Sequence, residues 1–229
     1  MRRDTQHVLL FLLGGALVRI AADDTFLRYV RPSHRWWLIG AGAAMIVLAV
    51  TALVRDRRGV PAVAEGHEHG RDATPWLLLL PVLVIALVAP PALGADALGR
   101  ASPVDVRVVA ADLPPGPLEM GVGEVVGRST GIGTLDGREV TVTGFLARRE
   151  GTLLLARMTI MCCAADARPY ALRIVGAPVA PVADLPDDTW LRVRGTVTPG
   201  SATRATRYQP ELTVTAVEEV PAPVDPYEY

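Results

Sequence analysis

Apolar residues come in long unbroken runs before Leu98 and in short, alternating stretches after it. The first run, Val8 to Val18, follows Arg2 and Arg3. It has the layout of a secretory signal, but Arg19 sits where a signal peptide should be free of charge, and two further apolar runs follow. We therefore expect a retained membrane helix over about 7–22, with Arg19 extending its head to the interface. Gly14-Gly15 permits close helix contact or is simply a tolerated pair. A polar loop then leads to Trp36-Trp37, an aromatic pair of the kind favoured at a bilayer surface. The second span runs over about 36–54 and stops at Arg55-Asp-Arg-Arg58. A third covers about 76–93, kinked at Pro81 and ended by Pro90-Pro91.

Beyond Ala101 the period shortens to two and turn residues become dense. Residues 99–138 read as a linker leading into a domain. Within them, Val104 to Ala111 is a β-branched run, and a short helix is expected in Leu118 to Val126. Strands are expected at Glu139 to Arg149, Leu153 to Ile160, Ala171 to Val175, Thr189 to Val197 and Leu212 to Val220. Short strands joined mostly by hairpins predict a small closed sheet. The expected fold is an α-helical membrane region of three transmembrane helices over 1–98, followed by a small all-β domain over 139–229. An OB-like barrel is the first choice for that domain and a sandwich the second.

Composition changes this picture in two ways. Half of the residues are hydrophobic and the mean hydropathy is +0.30, which agrees with a chain that meets a lipid bilayer. The net charge of -1 hides an asymmetry: from Ala101 onward there are 12 Arg against 16 Asp plus Glu. An acidic, aromatic-poor domain excludes nucleic acid as a partner, which requires clustered positive charge and stacking surfaces. Basic residues near the span ends orient the chain. An inner N-terminus places Arg2, Arg3, Arg55, Arg57, Arg58 and Arg71 inside, and Arg28, Arg31, Arg35 and Arg100 outside. We therefore expect a multi-pass protein of the cell membrane, with a cytoplasmic N-terminus and an extracytoplasmic β domain.

Both cysteines of the chain lie in Arg157-Met-Thr-Ile-Met-Cys-Cys-Ala-Ala-Asp-Ala-Arg168. Four roles compete for Cys162 and Cys163. With Asp166 they could bind a soft metal ion, zinc being the candidate. An exposed thiolate of low pKa would give redox chemistry. Asp166 with Arg157 or Arg168 could orient a polar ligand. The fourth role is packing, with cysteine as a small hydrophobe. Strand geometry sends neighbouring side chains to opposite faces, so both sulfurs reach one ion only if the backbone turns. No histidine follows His69, which removes the common zinc sets and any Ser/His/Asp arrangement from the domain. The glycine-rich stretch Gly121 to Gly137 lacks the Lys of a phosphate loop. No enzymatic activity is expected. In the connector, 55–74, His67-Glu68-His69 offers a second candidate metal group or is a flexible polar loop.

These marks resemble a family of small bacterial membrane proteins, YcgQ-like. The resemblance is carried by Tyr29-Val-Arg-Pro32, a histidine-containing connector before Trp76, Gly144-Phe145, the Cys-Cys-Ala-Ala-Asp core, Gly195 after Trp190, and Pro226-Tyr-Glu-Tyr229. It implies an accessory subunit of a two-component permease, with a multi-span permease subunit as partner and ties to zinc handling. His67 and His69 are fewer histidines than the family's connectors carry. The expected function is a membrane-anchored permease accessory whose β domain binds solute or metal, or regulates the partner. The alternative is a metal-binding or thiol-redox protein acting through Cys162, Cys163 and Asp166.

Overall fold

The computed structural model describes residues 3–58, 83, 88, 90–100, 113, 116–130, 135 and 137–229. The chain divides into two compact units, Met1–Pro91 and Ala92–Tyr229.

The first unit pairs helix α1, Arg3–Ala22, with helix α2, Arg35–Arg57. They touch backbone to backbone. A Cβ added to Gly14 would lie 2.7 Å from the Gly42 carbonyl oxygen, and one added to Gly42 would lie 2.7 Å from that of Gly14. Gly15, in contrast, faces open space. The connection between the helices is tied down by the Arg35–Asp24 ion pair and by the Arg35 guanidinium over the buried Phe26 ring. The expected count of three spans is corrected. Among the described residues one helix, Pro32–Arg57, is long and apolar enough to cross a membrane. The apolar part of α1, Gln6–Ala22, falls short of that length and carries Arg19 in its last turn. The third expected span lies outside the described residues except for residues 83, 88 and 90–93, as do His67 and His69.

The second unit is a seven-stranded sheet. Its strands are β1 Leu118–Glu119, β2 Glu139–Arg149, β3 Thr152–Thr159, β4 Arg168–Val175, β5 Trp190–Val197, β6 Glu211–Glu219 and β7 Tyr227–Glu228. Five pairings form a circuit. β2 pairs β3, β3 pairs β4, β6 pairs β5 and β5 pairs β2, all antiparallel, and β4 pairs β6 in parallel. The short β1 and β7 add in parallel to β2 and β3 respectively. A two-residue turn joins β2 to β3, with Glu150 at φ 52 and Gly151 at φ 77, the backbone sign that the twist of a hairpin requires.

Alternation along β5, where Leu191, Val193, Gly195 and Val197 are buried, sends one face into the interior. There it meets Val142, Leu155, Leu172 and Leu212. β2 and β3 break the alternation: Gly144 to Ala147 and Leu154 to Ala156 are continuously buried. Both faces of these strands are covered, so both must be apolar. On the outer face Phe145, Leu154, Met158 and Tyr227 form a second cluster with Leu98. Leu98 lies on the short helix α3, Ala95–Arg100, whose Ala95 amide is held by Asp188 at 2.7 Å.

Residues 116–130, read from the sequence as part of a linker, supply core. Helix α4, Val122–Ser129, buries Val122, Val125 and Val126 against the interior cluster. The expected helix at Leu118 to Val126 therefore begins four residues later, after β1 and Gly121. Val104 to Ala111 lies outside the described residues.

Candidate functional site

β3 ends at Thr159 and the backbone turns sharply before β4 begins at Arg168. Within the turn, Ala164–Asp166 forms a single 3-10 turn. The small alanines let the chain fold back, and the Asp166 carboxylate fixes the result. Its Oδ1 accepts the Met161 amide at 2.7 Å, and its Oδ2 accepts those of Cys162 and Cys163 at 2.9 and 3.2 Å. The Cys163 side chain in return accepts the Asp166 amide. The carboxylate thus sits in a nest of backbone N–H groups of the kind that favours an anion.

This turn overcomes the alternation that would have separated the sulfurs. Cys162 Sγ and Cys163 Sγ stand 3.7 Å apart, and the Cys162 thiol donates to Asp166 Oδ2 at 2.9 Å. Both thiols are free, with Cys162 exposed and Cys163 half-buried. One potential ligand atom from each of Cys162, Cys163 and Asp166 falls within 4.8 Å of the others. Hydrogen bonding to Asp166, then to Cys163, pushes the Cys162 thiol up to about 12. The same thiol, together with the three amides, holds the Asp166 carboxyl down at about 2. Deprotonating Cys162 beside a fixed carboxylate is unfavourable because it places two negative charges together.

Replacing Asp166 by asparagine removes that charge while keeping the side-chain shape. Cys162 should then return toward the ordinary thiol range, and its alkylation at pH 8 should accelerate by at least about tenfold, since the thiolate is the reacting form. Iodoacetamide kinetics followed by peptide mass spectrometry read this directly. Equal rates in the two proteins would mean that Asp166 does not control the thiol.

Arg157 and Arg168, expected to orient a ligand with Asp166, are placed otherwise. Arg168 is exposed at the start of β4, opposite Thr159. Arg157 is a clamp on the backbone: its guanidinium donates to Pro226 O at 3.1 Å, Asp225 O at 3.1 Å and Thr143 O at 3.3 Å. The same group stacks 4.8 Å over the Trp190 ring.

The segment that Arg157 holds buttresses the site from behind. β7 runs beside the end of β3, and the Ile160 amide donates to Glu228 O at 3.0 Å, one residue before the cysteine turn. The Glu228 side chain reaches the N-terminus of α4, where it accepts the Val122 and Gly123 amides at 2.8 and 2.9 Å. Burial pushes its carboxyl above the ordinary range, opposed by those two amides and by Arg157. A Cβ on Gly121 would lie 2.9 Å from the Glu228 carboxyl carbon, so glycine there is what admits the carboxylate. Reading the sequence missed Glu228, because the only signal was an unexplained Pro226-Tyr-Glu-Tyr229.

Residues 129–229 match the family model described as the DUF1980 C-terminal domain. The match takes in β2 to β7 and the whole cysteine turn. Neither the YcgQ-like designation nor a permease role follows from it. No curated protein matches the chain. Among solved structures, a chain from Leishmania major Friedlin assigned as an aspartyl-tRNA synthetase aligns at 12% identity with a TM-score of 0.28. That alignment covers 49% of this chain and 22% of that one.

Proposed function

We propose that this is a membrane-anchored metal-binding protein whose β domain presents Cys162, Cys163 and Asp166 to a soft divalent ion, zinc first. The observation that carries the reading is the 3.7 Å between the two sulfurs. Two thiolates on a tetrahedral ion with bonds of about 2.3 Å stand about 3.8 Å apart, so the turn already holds them at the required spacing. A carboxylate oxygen on the same ion stands about 3.5 Å from each sulfur. The present 2.9 Å from Cys162 Sγ to Asp166 is that of a thiol hydrogen bond. Exchange of the proton for a metal lengthens it by about 0.6 Å. Three protein ligands leave one position open, the pattern of a site that accepts and passes on its ion rather than one that holds a fold together.

The thiol-redox alternative is less well supported. A reactive thiolate needs a lowered pKa, whereas Asp166 moves Cys162 the other way. The same shift makes metal uptake pH-dependent: the Cys162 proton must leave, so apparent affinity rises with pH. Titration of the full chain in mild detergent with Co²⁺ tests the proposal. We expect a near-ultraviolet thiolate-to-cobalt absorption band at one equivalent, abolished in both Cys162→Ser and Cys163→Ser and displaced by Zn²⁺. A native protein that gives no such band, and whose zinc content matches that of the double serine variant, refutes it.

The strand circuit supports an OB-like barrel: five strands in the order β2-β3-β4-β6-β5, with the parallel pair at β4 and β6. The arginine distribution supports an extracytoplasmic position for that barrel. An accessory role beside a multi-span permease is the companion reading. α1 and α2 approach backbone to backbone at Gly14 and Gly42, and a domain that passes on an ion would hand it to a neighbour that conducts it.

A further inference from the structure

Three arginines meet in a cleft of this acidic domain. A cleft of about 240 Å³ lies between the β2–β3 turn and the connection from β5 to β6, and Arg149, Arg173 and Arg207 all line it. Thr152, Thr206 and Gln209 add polar groups, and Glu150 is the single carboxylate in the lining. We infer that this cleft binds a phosphate ester.

The connection that forms one wall is built rather than slack. Arg207 and Tyr208 occupy the left-handed region at φ 54 and 58, a costly conformation for two successive residues with side chains. A network internal to the loop holds them there. Tyr208 N donates to Thr203 O at 2.7 Å, Gln209 N to Thr206 O at 3.0 Å, and the Thr206 hydroxyl to Ser201 O at 2.9 Å. The result sets Arg207 across the cleft from the β2–β3 turn. Strain maintained by surrounding bonds is characteristic of clamps that must be in place before the ligand arrives.

The arrangement selects for charge and for the number of acceptor atoms. Arg207 is paired with Glu150 at 2.9 Å and Arg173 with Glu211 at 3.3 Å, so a single carboxylate ligand would merely exchange with what is already there. A phosphate monoester carries nearly two charges and three terminal oxygens. It can bridge Arg149 and the guanidinium donors that Arg173 and Arg207 do not commit to Gln209 O, Glu211 and Glu150. Arg149 has no ion pair among the described residues and contributes its full charge. The volume corresponds to about eight waters at about 30 Å³ each, enough for the phosphate and the first part of the group that carries it.

Two sources share this chemistry, a soluble phosphate ester and a phospholipid headgroup. Calorimetric titration of the full chain in mild detergent distinguishes them, with glycerol phosphate in one arm and dihexanoyl phosphatidic acid in the other. We expect saturable one-site binding in at least one arm, weakened by added salt. Loss of one charge-assisted contact in Arg149→Gln should lower affinity roughly tenfold, and Arg207→Gln should do the same. Cys162→Ser should leave binding unchanged, which separates this cleft from the metal site. Binding only of the lipid identifies a headgroup site, and binding of glycerol phosphate identifies a soluble ligand. The inference is overturned if neither arm saturates by millimolar concentration, or if Arg149→Gln, whose ion-pair-free side chain makes it a fold-neutral change, binds as well as the native protein.

Discussion

Gly195→Ala is expected to unfold the β domain or bring it to the edge of unfolding. The added Cβ would lie 2.5 Å from the Thr213 carbonyl oxygen on β6 and 3.0 Å from Leu212 Cγ. The obstacle is backbone of a paired strand, which cannot move aside without breaking the β5–β6 ladder at the point where its register already shifts. Gly144 faces the same restriction on β2, where a Cβ would meet Ala156 O at 2.6 Å. Overpacking of this kind costs on the order of 3 kcal/mol, a large part of the total stability of a domain, roughly 5–15 kcal/mol. Gly99→Ala is the control: nothing lies within 4 Å of its added Cβ, so its effect should stay within about 0.5 kcal/mol. Thermal melting of the three proteins, followed by near-ultraviolet circular dichroism, decides the matter. A Gly195→Ala midpoint within about 2 °C of native would contradict the close approach.

The second large effect is expected at Arg157. Alanine there leaves the carbonyls of Thr143, Asp225 and Pro226 without their donor and uncovers Trp190. Hydrogen bonds to a charged group contribute about 1.5–3 kcal/mol each and are not additive, so a total near 3 kcal/mol is expected. The loss should be local at first. The Ile160, Val122 and Gly123 amides, which depend on Glu228, should lose protection from hydrogen exchange before the β5–β6 ladder does. Lysine should not rescue the protein, since one ammonium cannot reach three carbonyls in the plane of a guanidinium. Uniform loss of protection across the whole domain would assign Arg157 to the global core instead.

What could be read from the chain depended on periodicity and on partners being side chains. β5 has a period of two throughout and β2 has it over its first half, before Gly144, and their limits were legible from the sequence. β4 was expected from Ala171, but it begins at Arg168 and takes in Pro169. The proline is tolerated because β6 pairs with β4 only from Arg173 onward, so no neighbour on that side needs its missing amide. β1 and β7 have two residues each, too few to show any period. A short helix was legible in Leu118 to Val126 but not its start at Val122, which is set by Gly121 and Gly123 lying against the Glu228 carboxylate. At the site, Cys162, Cys163 and Asp166 were legible as candidates, but their convergence was not, since it depends on backbone amides turning around one carboxylate. Arg157 was expected near Asp166 because sequence reading pairs charges with charges; its actual partners are carbonyl oxygens, which no side-chain alphabet records.

The strand circuit also implies an order of events during folding. β2, β3 and β4 are hairpin neighbours and can meet soon after collapse, whereas β4 joins β6 only after a long intervening stretch that includes β5. Loop-closure entropy delays such distant pairings. Were β5 and β6 not yet joined, β2 and β4 would have open edges, with the continuously apolar Phe145 to Ala147 beside one of them. In the folded domain each of the five circuit strands pairs with two others of the five, so the exposure of strand edges is greatest before β5 and β6 join.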